Sequence, residues 1–344
     1  MAAATPFHPL RKIAMTRLTL ADAEALVVDA LMKGNVDRTV AGSVARALVS
    51  AEAAGQGNHG LRRVVAYTGQ ARTGKVSGHA VPTAARAAPG VLVVDAADGF
   101  AYPALDMAVD LLPEIARSQG VAMAAIRRSH HAGVAGLTVE RLADLGLVAL
   151  MVANAPAAMA HWGGRTPLYG TNPLAFAAPL EGQEPVVVDL SLSKVARGNV
   201  MTARQKGLPI PEGWALDRDG NPTTDANAAM AGTMVPAGDA KGAALALMVE
   251  MLAAGLTGGN FAYEAGSLFE DNGPPVGLGH VIIVLDPVRI GGAGTTVRMA
   301  EMATRVADEP GARLPGRRGQ TARRKAIEEG VDIEADVLAA IAAL

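Results

Sequence analysis

The 344-residue chain has no cysteine. That excludes a disulfide framework and thiol chemistry, and it suits a reducing compartment. Aromatic residues make up only 3% of the chain, so Ala, Val, Leu and Met must build the interior. Single-stranded nucleic acid would lack interleaved stacking platforms. Net charge is -2, too close to balance to draw the chain to phosphate backbones or to an anionic membrane. No apolar run reaches the roughly 18 residues a membrane span needs. The start, Met1 to Pro9, lacks the charged-then-apolar order of a secretory signal. The expectation is a soluble, cytoplasmic protein with no nucleic acid and no membrane among its partners.

What the chain does have is length enough for a large core and two lobes, and clear periodicity. A central stretch from Gly120 to Asn199 organises it. The apolar run Val121 to Ile126 reads as a buried strand, and the segment from Val134 to Leu145 as a helix ended by Gly146. Leu147 to Val152 reads as a second buried strand, so the unit is a βαβ crossover. Ser129, His130 and His131 fall in the strand-to-helix turn, where amides and the helix dipole favour an anion. A capping or loop role explains the two histidines equally simply. Further on, the turn from Tyr169 to Pro173, the strand from Pro185 ending at Asp189, and Ser191 place polar groups just past strand ends. Open sheets present ligand sites there.

Around this centre, residues 1–15 read as a loose leader. Thr19 with Asp22 opens a helix to Lys33, and Asp37 opens a second one ending near Gly55. Gly55 to Gly60 matches G-x-G-x-x-G letter for letter, but a helix rather than a strand precedes it, so it is no dinucleotide fingerprint. His59 and Arg63 share a face if a helix resumes at Leu61. Val91 to Asp95 reads as a strand and Pro103 to Ser118 as a helix. Residues 207–232 read as a turn-rich surface excursion whose acidic cluster lacks the spacing of a calcium loop, and no metal is expected. Lys241 near a helix start opposes the helix dipole, which favours an anion at that place. Val281 to Leu285 reads as the last strand; residues 295–309 and 320–344 read as helical. The basic cluster from Arg313 to Lys325 is a solvated face or, through Arg forks, a phosphate contact.

Eight stretches in order carry a family resemblance. They are Asn58 to Gly60 with Arg63, Ser129 to His131, Tyr169 to Pro173, Val188 to Ser191, Ala196 to Gly198, Ala240 to Gly242, Leu256 to Phe261, and Leu314 to Arg317. Together they resemble the malate/L-lactate dehydrogenase-like, non-Rossmann NAD(P)-dependent oxidoreductases. Ala124 to His131 and Ala253 to Phe261 look most like the Δ1-piperideine-2-carboxylate/Δ1-pyrroline-2-carboxylate reductases.

The resemblance implies a mixed α+β fold: a non-Rossmann NAD(P)-binding body with a helical lobe built from both chain ends. The expected division is 16–80 for the N-terminal helical lobe, 81–290 for the cofactor and substrate body, and 291–344 for C-terminal helices packing with the first lobe. A homodimer with the active site near the interface is implied too. His59 would be the proton donor, Arg63 the carboxylate anchor assisted by Thr171, and Arg197 a further substrate contact. NADPH, or NADH, would lie against His131, Ala132, Gly133, Val134 and Ala135, against Asp189, Leu190 and Ser191, against Ala240 and Lys241, and against Pro315, Gly316, Arg317 and Arg318. Similar reductases carry Ser and an acidic residue where this chain has Asn58 and Asn199. An amide orients an imidazole but stabilises its cation less than a carboxylate does.

Three functions stay open at this point. One is an NADPH-dependent reductase of cyclic 2-imino acids. Another is an NAD(P)-dependent dehydrogenase of a 2-hydroxy acid. The third is a nucleotide-binding protein with little catalysis.

Overall fold

The computed structural model describes residues 14–344. The leader expected over residues 1–15 therefore lies, up to residue 13, outside the described residues. Strand β1 (Met15–Leu18) opens the described chain. Helix α1 (Leu20–Lys33) follows, with the Thr19 hydroxyl accepting from the Asp22 amide at 3.1 Å as the capping pattern predicts. Helix α2 (Arg38–Ala53) buries Val40, Val44, Leu48 and Ala51 on one face. No regular helix resumes at Leu61. Two 3₁₀ turns, Gly57–His59 and Leu61–Arg63, come before α3 (Val64–Thr73). The Glu52 carboxylate accepts the Leu61 amide at 2.9 Å and ties this tight segment to α2.

Next come β2 (Thr83–Ala88), β3 (Val91–Asp95), α4 (Ala101–Gln119), β4 (Val121–Ser129), α5 (Ala135–Asp144) and β5 (Val148–Ala153). The short strands β6 (Met159–Ala160) and β7 (Pro167–Tyr169) lead into the hairpin of β8 (Leu174–Leu180) and β9 (Gln183–Leu190). Helix α6 (Arg197–Gln205) then precedes β10 (Ala215–Leu216), β11 (Pro222–Thr223), α7 (Ala226–Ala231) and β12 (Thr233–Met234). Helix α8 (Ala240–Glu250) runs on into a π-helical turn, Met251–Gly255. Strand β13 (Leu278–Leu285), α9 (Pro287–Gly291), α10 (Thr295–Asp308), α11 (Arg317–Glu329), β14 (Val331–Glu334) and α12 (Ala335–Ala342) complete the chain.

The main sheet has seven strands in the order β2-β3-β4-β13-β5-β8-β9. Only β3 and β4 pair in parallel; every other neighbouring pair is antiparallel. The β4-α5-β5 crossover forms as expected, but β13 inserts between its two strands and pairs with both. Six of the eight residues of β13 are buried, without alternation, because this central strand is covered on both faces. Such a sheet is mixed and is not a parallel doubly wound one.

Two expectations need correction. The excursion at 207–232 is not merely turns: β10 and β11 join β12, β6 and β7 in a five-stranded sheet, and α7 packs beside them. Two-residue strands leave no periodic trace in a sequence. The C-terminal stretch is not wholly helical either, since β14 interrupts it and pairs antiparallel with β1, Met15 opposite Glu334. One apolar core runs from Val27, Leu31 and Val44 in the N-terminal helices through Leu105 and Leu142 to Ile282 in the sheet and Ile341 in α12. Helix α11 lies against α2 and α12 against α3, whereas α10 packs on β8. No helix among the described residues is long and apolar enough to cross a membrane.

Candidate active site

The 3₁₀ turn after α2, the start of α3 and the end of β4 converge on a cluster of rings. His59 stacks on His131 with centroids 5.2 Å apart and planes 18° from parallel. The Tyr67 hydroxyl lies 2.7 Å from His131 Nδ1 and 3.2 Å from the Tyr102 hydroxyl. His130 meets the edges of Tyr67 and Phe100. Both His130 nitrogens, and Nδ1 of His59, are enclosed without a hydrogen-bond partner among the described residues. Burial, with Arg63 next in weight, pushes His59 down to about 4. Burial likewise takes His130 to about 3, and His131 well below its usual value. All three imidazoles are therefore neutral near pH 7, and a neutral ring can accept a proton.

Arg63 bends back so that its Nε donates to the Asn58 carbonyl at 2.9 Å. Its guanidinium carbon sits 4.9 Å from the centre of the Phe269 ring. No carboxylate among the described residues lies within ion-pair distance of it, so the terminal nitrogens remain available as a fork. Gly198 comes up against the Asn58 side chain, its would-be Cβ 3.5 Å from Nδ2. The preceding Arg197 donates to the Ala157 carbonyl at 2.9 Å, is half-buried, and has no carboxylate partner among the described residues. The expected Asn58, His59, Arg63 and His131 thus come together, and α6 borders Asn58 at Gly198, while the Arg197 side chain is tied to Ala157. Asn199 is exposed on α6 and makes no hydrogen bond to His59, so neither asparagine reaches the enclosed Nδ1.

A second set of expected residues forms beside it. The Leu192 amide donates to the Thr171 carbonyl at 2.8 Å, and the Ala237 amide donates to the Leu192 carbonyl at 2.8 Å. Thr171, Ser191 and the approach to Ala240 and Lys241 are in this way stitched side by side. Beneath them the buried Glu250 carboxylate accepts from Asn172, Asn154 and the Ala262 amide, at 2.7, 3.1 and 2.6 Å. Asn172 itself holds a left-handed φ of 40°. Glu250 fixes the turn that carries Thr171.

A third set surrounds the start of α5. The Asp189 carboxylate accepts the Gly136 amide at 2.9 Å, and burial raises its pKa. Val134, which precedes α5, supplies no side-chain cap; Gly136 is taken by Asp189 and Leu137 donates to the Val134 carbonyl at 3.1 Å, so the Ala135 amide is what the first turn leaves for a ligand. Gly316 comes within 3.0 Å of the Val187 carbonyl, measured from its would-be Cβ. A cavity of about 450 Å³ opens alongside, between α2, α4 and α5, with Ala132, Val134, Leu105 and Arg46 among its walls. A buried carboxylate held at a helix start and a partly apolar cavity suit a dinucleotide. Arg317 is less free than its sequence position suggests: it is engaged by the Glu184 carboxylate and carbonyl, both at 3.1 Å. Arg318 is exposed.

Sequence reasoning missed Tyr67, Tyr102, Phe269 and the buried Lys75. Tyr67 had a signal, since it lies four residues after Arg63 in a chain with only 4 tyrosines. Phe269 had none, because it reaches Arg63 from 206 positions away.

The chain is similar to known proteins over nearly its whole length. It is 50% identical over 317 residues to the (2R)-3-sulfolactate dehydrogenase (NADP(+)) of Chromohalobacter salexigens, covering 92% of this chain and 94% of that one. It is 39% identical over 324 residues to the Δ1-pyrroline-2-carboxylate/Δ1-piperideine-2-carboxylate reductase of Pseudomonas putida, covering 93% and 94%. Among solved structures, the Δ1-piperideine-2-carboxylate reductase of Pseudomonas syringae superposes with a TM-score of 0.89 at 38% identity, over 95% of this chain and 98% of that one. These likenesses favour the catalytic readings over a protein that merely holds a nucleotide. Residues 18–342 match the malate/L-lactate dehydrogenase family model, and the chain belongs to that family of NAD(P)-dependent oxidoreductases.

Proposed function

We propose that this protein is an NADP(H)-dependent dehydrogenase of a short 2-hydroxy acid that bears a second anionic group, with 3-sulfolactate as the first substrate to try. One observation carries the reading. Arg63 at the His59 turn, and Arg197 next to the Gly198 that borders Asn58, both lack a carboxylate partner among the described residues. Two uncompensated guanidiniums suit a dianion better than a cyclic imino acid with its single carboxylate. The sulfolactate dehydrogenase at 50% identity, whose name includes NADP(+), supports both substrate class and cofactor.

The residues divide the work as follows. The Arg63 fork holds the substrate carboxylate, with Thr171 beside it, and Arg197 takes the second anion. His59, kept neutral by burial and by Arg63, accepts the hydroxyl proton during oxidation and returns it during reduction. His131, fixed by the Tyr67 hydroxyl, walls the site against His59. A nicotinamide dinucleotide would supply the hydride transfer, and Asp189 with the start of α5 would hold it.

The test compares kcat/KM for 3-sulfolactate, malate and lactate with NADP+ and NAD+, and for sulfopyruvate and Δ1-pyrroline-2-carboxylate with NADPH. Highest efficiency on the sulfonated pair is expected. A clear preference for the cyclic imine would replace this reading by the second one, a reductase of cyclic 2-imino acids. That alternative is supported by the relatives at 38–39% identity. A homodimer is proposed as well: Leu245, Met248, Met251 and Leu256 expose apolar surface along α8 and the π turn. Light scattering should give twice the 35.0 kDa chain mass.

A further inference from the structure

Lys75 is 1% exposed and has no carboxylate within ion-pair distance among the described residues. A lysine is seldom buried so fully without compensation. Its ammonium instead donates to two carbonyls of one tight turn, Ser267 at 2.6 Å and Glu270 at 2.7 Å. Two residues near the end of α3 bind the same turn. Gln70 donates to the Leu268 and Glu270 carbonyls at 3.0 and 3.2 Å, and Thr73 to the Asp271 carbonyl at 2.6 Å. The Asp271 carboxyl group lies 2.4 Å from where a Cβ on Gly69 would be, so a side chain there would have to turn that carboxyl aside. Leu268 packs with Val276 and Leu278 underneath.

The turn carries one exposed aromatic, Phe269, and that ring covers the Arg63 guanidinium at 4.9 Å. Helix α3 therefore presents Arg63 at its start and, through side chains at its far end, holds the turn whose phenyl ring lies over that arginine. With Nε bound to the Asn58 carbonyl and one face against Phe269, the guanidinium keeps few orientations. Its free edge is what a carboxylate would meet. A long, flexible arginine held in this way loses less rotamer entropy when substrate binds.

We propose that Phe269 and Lys75 are positioning residues for the substrate: the strap of residues 267–271, anchored by Lys75, holds Phe269 over Arg63 and fixes the fork that receives the substrate carboxylate. The idea rests on Arg63 being that anchor, as read above. Neither residue touches the reacting atoms.

The experiment is a double-mutant cycle of Arg63→Ala and Phe269→Ala, read as KM and kcat for the accepted 2-hydroxy acid, with NADPH affinity measured by fluorescence. Phe269→Ala should raise KM about twofold to fivefold, in line with an exposed cation–π contact, with kcat and NADPH affinity close to wild type. Phe269→Tyr should restore KM. The double variant should be no worse than Arg63→Ala alone. Lys75→Met should give the same KM signature. Because it leaves two carbonyls unpaired and can prevent folding, Thr73→Val, which removes one bond to the strap, provides a milder form with a smaller rise. A raised KM for Arg63→Ala with an unchanged KM for Phe269→Ala, or fully additive effects, would overturn the strap proposal alone. An unchanged KM for Arg63→Ala would overturn the anchor reading and this proposal with it.

Discussion

His131 lies face to face with His59, ring centroids 5.2 Å apart, and Tyr67 holds its Nδ1 from the other side at 2.7 Å. Two stacked imidazoles beside Arg63 cannot both carry charge cheaply, so the pair sits in its neutral form. His59 is lowered from 6.5 to about 4, chiefly by burial and then by Arg63. Oxidation of a hydroxy acid needs the neutral ring, so its rate should stay flat through neutrality and fall only as pH drops toward 4. Arg63→Ala removes one of the two causes and should raise the His59 titration. Proton NMR of the unliganded protein would show both; a wild-type His59 titrating at 6.5 or above would refute the account.

Replacing the proposed proton carrier should differ from replacing the proposed anchor. His59→Ala is expected to lower kcat about a hundredfold or more, with NADPH affinity kept. Arg63→Ala loses a charge-assisted contact worth about 1.5–3 kcal/mol, felt mainly in KM. Near wild-type turnover by His59→Ala on every accepted substrate would move the proton to another group.

The sequence made the histidine cluster legible because its members lie in stretches with local marks: His59 four residues before Arg63, and His130 and His131 in a strand-to-helix turn. Capping at Thr19 and the β4-α5-β5 crossover were readable for the same reason, since short-range chemistry determines them. The insertion of β13 between β4 and β5 was not, because pairing over more than a hundred residues leaves no periodic signal. Nor was the state of Arg317, whose partner Glu184 stands 133 positions away. The asparagine at 199 stood out as a departure from a family pattern, yet only the fold shows that it is exposed and out of contact with His59.

Two buried histidines should make the protein acid-sensitive. His130 is depressed to about 3 and His280 to about 4, both mainly by burial. His280 meets the Ser129 hydroxyl at 3.0 Å through Nε2, while its Nδ1 has no partner. In the unfolded chain each binds a proton near pH 6.5; folded, each resists it until pH 3–4. The unfolded state thus holds more protons across this window, and stability falls as pH drops below 6.5. At pH 5 the loss is on the order of 2 kcal/mol per histidine. Melting temperatures measured from pH 7.5 to 5 should fall steadily, and His280→Gln should flatten the slope. A Tm that holds constant over that range would contradict the burial of these rings.

The start of α5 offers a test of the cofactor site that does not depend on the substrate. Gly136 donates its amide to Asp189, and a Cβ there would come within 2.9 Å of both Cβ and Oδ2 of Asp189. Gly136→Ala must therefore push the carboxylate aside and disturb the first turn of the helix, where the dinucleotide is proposed to lie. Alanine suits a helix interior better than glycine, so the helix gains locally what the contact loses. Global stability should change by no more than about 1 kcal/mol. Binding should change far more: an Asp189 carboxylate pushed aside loses its proposed hydrogen bond to the dinucleotide, which predicts NADPH affinity weaker by about tenfold or more. Fluorescence titration with NADPH alone, beside a thermal melt, separates the two. Unchanged NADPH affinity in a variant that melts like the wild type would place the dinucleotide away from Asp189 and remove the start of α5 from the cofactor site.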